Sequence, residues 1–213
     1  MGNYSMGLVD KIVDYMKLKG YRIHDSDDKR NIVYVEGMNI DGTLNCDRAD
    51  VFNDIRCVFE FCNGKPKMLG VWGATTEPGR YYTNNPLNHK GAARIKFGQY
   101  KAWKVGQHGN KDPHEALVQC GIVTVHRDLN KDLIRTGDKL DTGYFGINQH
   151  WGGDSPINSI GRWSAGCLVG RTRVGHREFM TIVKKDPDYL KNRSYVFDTT
   201  IIAGDDLIKH FPD

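Results

Sequence analysis

The stretch 55–74 constrains the fold more than any other. Its two halves, IRCVFEF (55–61) and PKMLGVWGA (66–74), are rich in β-branched and aromatic residues. Asn63 and Gly64 stand between them, a pair suited to the left-handed backbone of a two-residue hairpin turn. A hairpin is not stable alone and needs further strands beside it. The sequence predicts them at 32–35 (IVYV), 121–126 (GIVTVH), 144–149 (YFGINQ) and 194–202, with a strand or short helix around 93–105 and a polar loop after it. The 24 glycines suit the many turns such a chain needs.

Helical spacing occurs in two places. Leu8, Val9, Ile12, Val13 and Met16 line one face of 7–19, and Gly20 stops it. Phe179, Ile182 and Val183 line one face of 175–185. The expected class is therefore mainly β with α, an α+β fold. The expected division is an N-terminal helix and connecting segment (1–50) packed on one main domain (51–205), then a C-terminal tail (206–213).

With 213 residues the chain can bury a core without disulfide or metal staples. Its five cysteines are odd in number and irregularly spaced, which argues against a disulfide framework, and no CxxC pair suggests zinc. The net charge of +4 is spread among acidic residues with no Lys/Arg run. Nucleic-acid binding is not expected, while approach to an anionic surface is favoured. No signal peptide or membrane-length apolar run is present, so synthesis in the cytoplasm and no membrane partner are expected. Gly2 fails as a myristoylation site because Met6 stands where Ser or Thr is needed.

Chemistry concentrates at Cys167 and His150. His150 ends a predicted strand, and the loop 151–163 (WGGDSPINSIGRW) leads to the turn SAG and Cys167. A connection of that length returns the chain beside itself, so the imidazole and thiol can face each other. A neighbouring imidazole activates a thiol by forming an ion pair with its thiolate. Gly166 lets a substrate carbonyl approach, and the N–H groups of Gly166 and Cys167 are candidates for an oxyanion hole. The alternative is a structural cysteine with a histidine near it in sequence.

GINQHWGG followed by IGRWSAGC resembles the signature of L,D-transpeptidase catalytic domains of the YkuD type. His150, Ser164, Gly166 and Cys167 match its positions. The earlier pieces come in the family's order: strand, NGK hairpin, strand, then ATTEPGRYY with Pro78, Gly79 and Tyr81 in place. The resemblance spans about 52–203. Three departures stand out. Ala165 replaces the family's histidine before Gly-Cys. Trp151 separates His150 from its glycine. The arginine expected just after the cysteine is displaced to Arg171.

The resemblance implies a β-sandwich-like fold, no metal or other cofactor, and a bacterial peptidoglycan stem peptide as partner. It also implies an acyl-thioester on Cys167 and sensitivity to carbapenems. Catalytic roles are expected for Cys167, His150, Gly166 and Ser164. Substrate contacts are expected from Arg162, Trp151, Tyr81 and Arg171, with Arg162, Arg171 and His176 weighed as a carboxylate clamp against solvated loop charge. Tyr82, Asn85, Arg94 and His108 are further candidates to line the groove, with plain packing as the alternative. DLNKD (128–132) with Asp138 lacks the glycine and final carboxylate of a calcium loop and reads as an Asx-rich turn. His89, His108, His114 and His126 share no helical metal spacing.

The expected function is a monomeric cysteine hydrolase cutting stem peptides at the cell wall, such as a bacteriophage endolysin. The alternatives are a transferase building L,D cross-links and a non-catalytic wall-binding module. The group that orients His150 is left open.

Overall fold

The computed structural model describes residues 6–212, so Gly2 lies outside the described residues. Eleven strands and five helices follow one another. They are α1 (Leu8–Leu18), β1 (Asn31–Glu36), β2 (Asp54–Cys62), β3 (Lys65–Thr75), α2 (Arg80–Asn84), β4 (Ala92–Ile95), β5 (Gly98–His108) and β6 (His114–Gln119). Then come β7 (Val123–Asp128), β8 (Lys139–Gly143), β9 (Gln149–Trp151), β10 (Leu168–Gly170), α3 (Arg173–Val183), α4 (Pro187–Lys191), β11 (Phe197–Ala203) and α5 (Gly204–His210).

The mainly β, α+β class expected from the sequence is what the chain forms. Eight strands close into a barrel in the order β1–β11–β5–β6–β9–β10–β3–β2, and β4–β7–β8 make a separate antiparallel sheet. The hairpin at Asn63–Gly64 is present, with φ of +51° and +73° at the turn. Helices α1 and α3 lie where periodicity put them. No helix among the described residues is long and apolar enough to cross a membrane.

The first fifty residues are not merely packed on the main domain. Strand β1 sits between β11 and β2, so the barrel does not close without it. The reason is alternation. Ile32 and Tyr34 face the barrel core, while Val33 and Val35 join Ile12, Met16 and Leu207 in a second core under α1 and α5. Residues 204–210, expected in part as a tail, form α5, whose Asp206 accepts a 2.5 Å hydrogen bond from Tyr15 of α1.

Other strands differ from expectation. The stretch 93–105 is two strands that turn between Ile95 and Gly98. Strand β6 begins in the stretch that reads as polar loop, and β8 lies where no strand is expected. Residues 144–148 are irregular rather than a strand, and β9 begins only at Gln149. There the buried Gln119 side chain takes over the ladder's work. Its Oε1 accepts from the N–H groups of Phe145 (3.2 Å) and Ile147 (2.7 Å), and its Nε2 donates to Gly121 and Gly143 carbonyls.

The small sheet joins the barrel core through Ala93, Ile95, Val123 and Val125. A buried charge cluster pins the same junction. Arg94 of β4 pairs with Glu36 (2.9 Å) at the end of β1 and with Glu77 after β3, and Arg135 also holds Glu36. Burial pushes the Glu77 carboxyl up to about 9, and burial beside Glu36 pushes Asp54 up to about 8. Both shifts lower the negative charge that the cluster carries beside Arg94 and Arg135. Arg94→Met should cost about 3–5 kcal/mol, because it strips a buried pair of its cation. Denaturant unfolding of the variant against wild type measures it.

Candidate active site

Parallel pairing of β9 with β10 builds the site. Gln149 lies beside Leu168, His150 beside Val169, and Trp151 beside Gly170. Side chains alternate across a strand. His150, Val169 and, two residues earlier, Cys167 therefore share one face, while Gln149, Trp151 and Leu168 share the other. His150 and Cys167 both line a cavity of about 710 Å³. Val169 beneath them packs with Phe52 and Ile160 in a small core that Cys167 and Trp163 complete.

The connection from β9 to β10 is irregular but well fastened. Asp50 accepts from the N–H groups of Ile160 (backbone O, 3.1 Å) and Gly161 (Oδ1, 2.9 Å), and Phe52 N–H donates to Ile157. Gly79, from the turn that precedes α2, donates to Ser164 O at 2.8 Å. The ATTEPGRYY segment thus abuts the SAGC turn. Ser164 is fully buried, and its Oγ donates to Cys167 O (2.9 Å) and accepts from Gly166 N–H (3.1 Å). Gly166 has φ +124°, and a Cβ there would meet Ala93 O at 2.5 Å. Only glycine fits this approach. One expectation is corrected here: Gly166 N–H is already engaged by Ser164, so it is not a free oxyanion donor. The Cys167 N–H takes no part in the turn's own hydrogen bonds and is the donor left.

Hydrogen bonds settle the protonation of the base. His150 Nδ1 lies 2.8 Å from Trp151 O, and a carbonyl only accepts, so Nδ1 carries the proton. The orienting group left open by the sequence is therefore a backbone carbonyl. The Nε2 lone pair is buried and has no partner. Burial holds the imidazole down to about 3, and His108, His114 and Arg56 add to the effect. Burial likewise pushes the Cys167 thiol up to about 11, opposed by Asn148 N–H. The thiol is 3.7 Å from Gly146 O, a contact in which S–H donates. The ion pair expected from sequence is thus absent at rest: the site holds a neutral thiol and a neutral imidazole. Such an imidazole acts as a general base only when the thiol attacks.

The remaining expected residues divide by strand face. Arg162 lines the cavity, its guanidinium 3.7 Å above the Tyr81 ring. Tyr81 supports Arg162 without lining the cavity itself, whereas Tyr82 and His108 do line it. Trp151 is corrected: it lies on the opposite strand face, stacked on His114 with ring centroids 3.8 Å apart. Arg171 is also corrected. It donates to Ser155 O at 3.1 Å and lines a different groove. His176 is buried between Arg56 and Glu115 O, and Arg94 belongs to the charge cluster. Asn85 lies outside the cavity, its amide donating to Tyr81 O. Asp128 caps the N–H groups of Asp132 and Leu133, an Asx-type turn as read from sequence.

Sequence reasoning missed Arg127, Tyr144, Phe145 and Trp163, all of which line the cavity. Arg127 is almost fully buried, bound through Nε to Asp141 (3.0 Å) and lying 4.4 Å over the Phe145 ring. No Asp or Glu is among the cavity's lining residues; Arg127 is already paired with Asp141, so Arg162 supplies the cavity's positive charge. The His108, His114, His150 and His176 rings form a continuous contact series. Among the described residues the one group able to chelate a metal by proximity is instead Glu36, Asp47 and Glu77, already occupied by arginines. No family model, no curated protein and no solved structure matches this chain.

The neutral histidines make stability depend on pH. His150 and His176 are held down to about 3 and about 2, chiefly by burial, against an ordinary 6.5. Below 6.5 the unfolded chain takes up protons that the folded chain refuses, so stability is lost as pH falls. Between pH 6.5 and 5 the unfolding free energy should drop by about 2 kcal/mol per histidine. Urea unfolding across that range tests this, and His176→Gln should remove about half of the drop.

Proposed function

We propose that the chain is a cysteine hydrolase acting through an acyl-Cys167 thioester on carboxylate-bearing peptides of the peptidoglycan stem type. One observation carries the reading. Cys167 and His150, a histidine of fixed tautomer whose Nε2 has no hydrogen-bond partner, line one cavity. The resemblance of GINQHWGG and IGRWSAGC to L,D-transpeptidase signatures supplies the substrate class, and the acid-free cavity lining with Arg162 suits its carboxylates.

The steps follow from the geometry. His150 Nε2 takes the thiol proton as sulfur attacks the peptide carbonyl. Cys167 N–H donates to the developing oxyanion. His150 then returns its proton to the departing amine, and the C–N bond breaks to leave the thioester. Water, deprotonated by the same Nε2, attacks the thioester; the C–S bond breaks to release the acid, and the proton on Nε2 returns to the Cys167 sulfur. Water is favoured over an amine acceptor because an incoming ammonium group meets the Arg162 guanidinium and no carboxylate of the cavity lining.

Incubation with purified stem-peptide fragments, read by mass spectrometry, tests the proposal. Shorter peptides, with one water added per cut bond, are expected. Cross-linked dimers would instead identify a transpeptidase, and neither product would leave a wall-binding module. Cys167→Ala should lower turnover by at least about 10³-fold, and retained turnover refutes the nucleophile. Arg162→Met should raise KM about tenfold with little change in kcat, the mark of lost ground-state binding.

A further inference from the structure

The His108 ring lies flat on the His150 ring, with centroids 3.9 Å apart and planes 13° from parallel. It comes from the end of β5, directly opposite His114 of β6. Its protonation is fixed by a relay. Gln119 N–H donates to Asn148 Oδ1 at 2.9 Å, which orients the amide. Asn148 Nδ2 must then be the donor in its 2.9 Å contact with His108 Nδ1. His108 therefore accepts at Nδ1, carries its proton on Nε2, and is neutral. Burial lowers its basicity further.

Among the described residues no other ring stacks on His150, and no carboxylate hydrogen-bonds to it. Ala165, beside the nucleophile, supplies no ring. Resting on the nucleophile and base proposed above, we infer that His108 is a positioning residue, whose neutral ring, oriented by Asn148, keeps water off His150 and stacks on the imidazolium formed as Cys167 loses its proton. An aromatic face beside a buried cation is attractive. The same ring at rest shields the base from water. The charged or titratable groups facing His150 are His108 from β5, His114 from β6, Arg56 from β2 and Cys167 itself. None is an acid that could replace the ring's contribution.

Acylation of the intact protein by p-nitrophenyl acetate tests this. In that step sulfur bonds to the acetyl carbon, nitrophenolate leaves, and the thiol proton passes to His150. Nitrophenolate release gives the rate, and peptide mass mapping counts only acetyl on Cys167. Wild type should acylate at a rate nearly flat from about pH 5 to 8, because the base is neutral throughout. His108→Ala should be slower at pH 7 by about tenfold or more and should lose rate below about pH 6.5, as water reaches His150 and restores its ordinary titration. His108→Phe, which returns a flat ring, should regain most of the rate and the flat profile. His108→Gln keeps an acceptor for Asn148 without a ring and should behave as His108→Ala, which covers the case in which the alanine variant fails to fold. A wild-type rate and profile in His108→Gln overturns the inference. So does a His108→Phe variant as slow as His108→Gln, since hydrogen bonding rather than stacking would then be at work. His150→Gln separates the two levels. If it acylates like wild type, the base assignment fails and the inference falls with it. If it is slow while the His108 variants are normal, the inference alone falls.

Discussion

Three residues of parallel pairing, β9 against β10, are the contact on which the rest depends. They complete the barrel between β6 and β3, and they set the imidazole of His150 on the same face as Cys167. Parallel neighbours cannot be joined by a tight turn. The chain must leave β9, travel, and come back in the same direction. That requirement creates the loop after Trp151, and its fastenings to Asp50, Phe52 and Gly79 hold the nucleophile still. The site is the place where the barrel closes, so its geometry and the fold's integrity are one problem.

The electrostatic design follows from that burial. Every histidine in the ring series has its tautomer fixed by a hydrogen bond, His150 to Trp151 O, His114 to Asp112 O, His176 to Glu115 O, and His108 from Asn148, while burial keeps the ring neutral. None ends on a carboxylate. A buried ion pair would have to offset the desolvation of both charges, whereas a neutral thiol and imidazole avoid that cost. Positive charge is kept at the cavity wall on Arg162, while Arg127 is paired with Asp141 behind it.

What the sequence made legible is local. The hairpin showed because Asn63–Gly64 and its flanking alternation are contiguous. Helices α1 and α3 showed because each keeps one apolar stripe. His150 and Cys167 showed because the turn around Cys167 has its glycine and serine in sequence. Irregular backbone was not legible: 144–149 reads as a strand, but Gly146 at φ +74° and the Gln119 side chain make its first four residues a wall of the cavity. Trp151 was misassigned because neighbours in sequence occupy opposite strand faces. Arg127 was out of reach for another reason: its place at the cavity arises from the pairing of β7 with β8. His108 was read as a groove candidate, but its stack on His150 depends on the pairing of β5 with β6 and was not legible.

A neutral resting pair also bears on selectivity. A preformed thiolate would react with any electrophile that enters the cell's water. Here the thiol is held up near 11 and the base down near 3, so charge separation at rest is strongly unfavourable. Proton transfer becomes favourable only when the sulfur gains a carbonyl carbon and the oxyanion gains a donor, both of which require a docked substrate. The stacked ring of His108 and the donor at Cys167 act on opposite charges of that same event. In the hydrolase proposed above, binding of an anionic peptide against Arg162 would precede chemistry, and the reactivity of the cysteine would be a property of the complex rather than of the free protein.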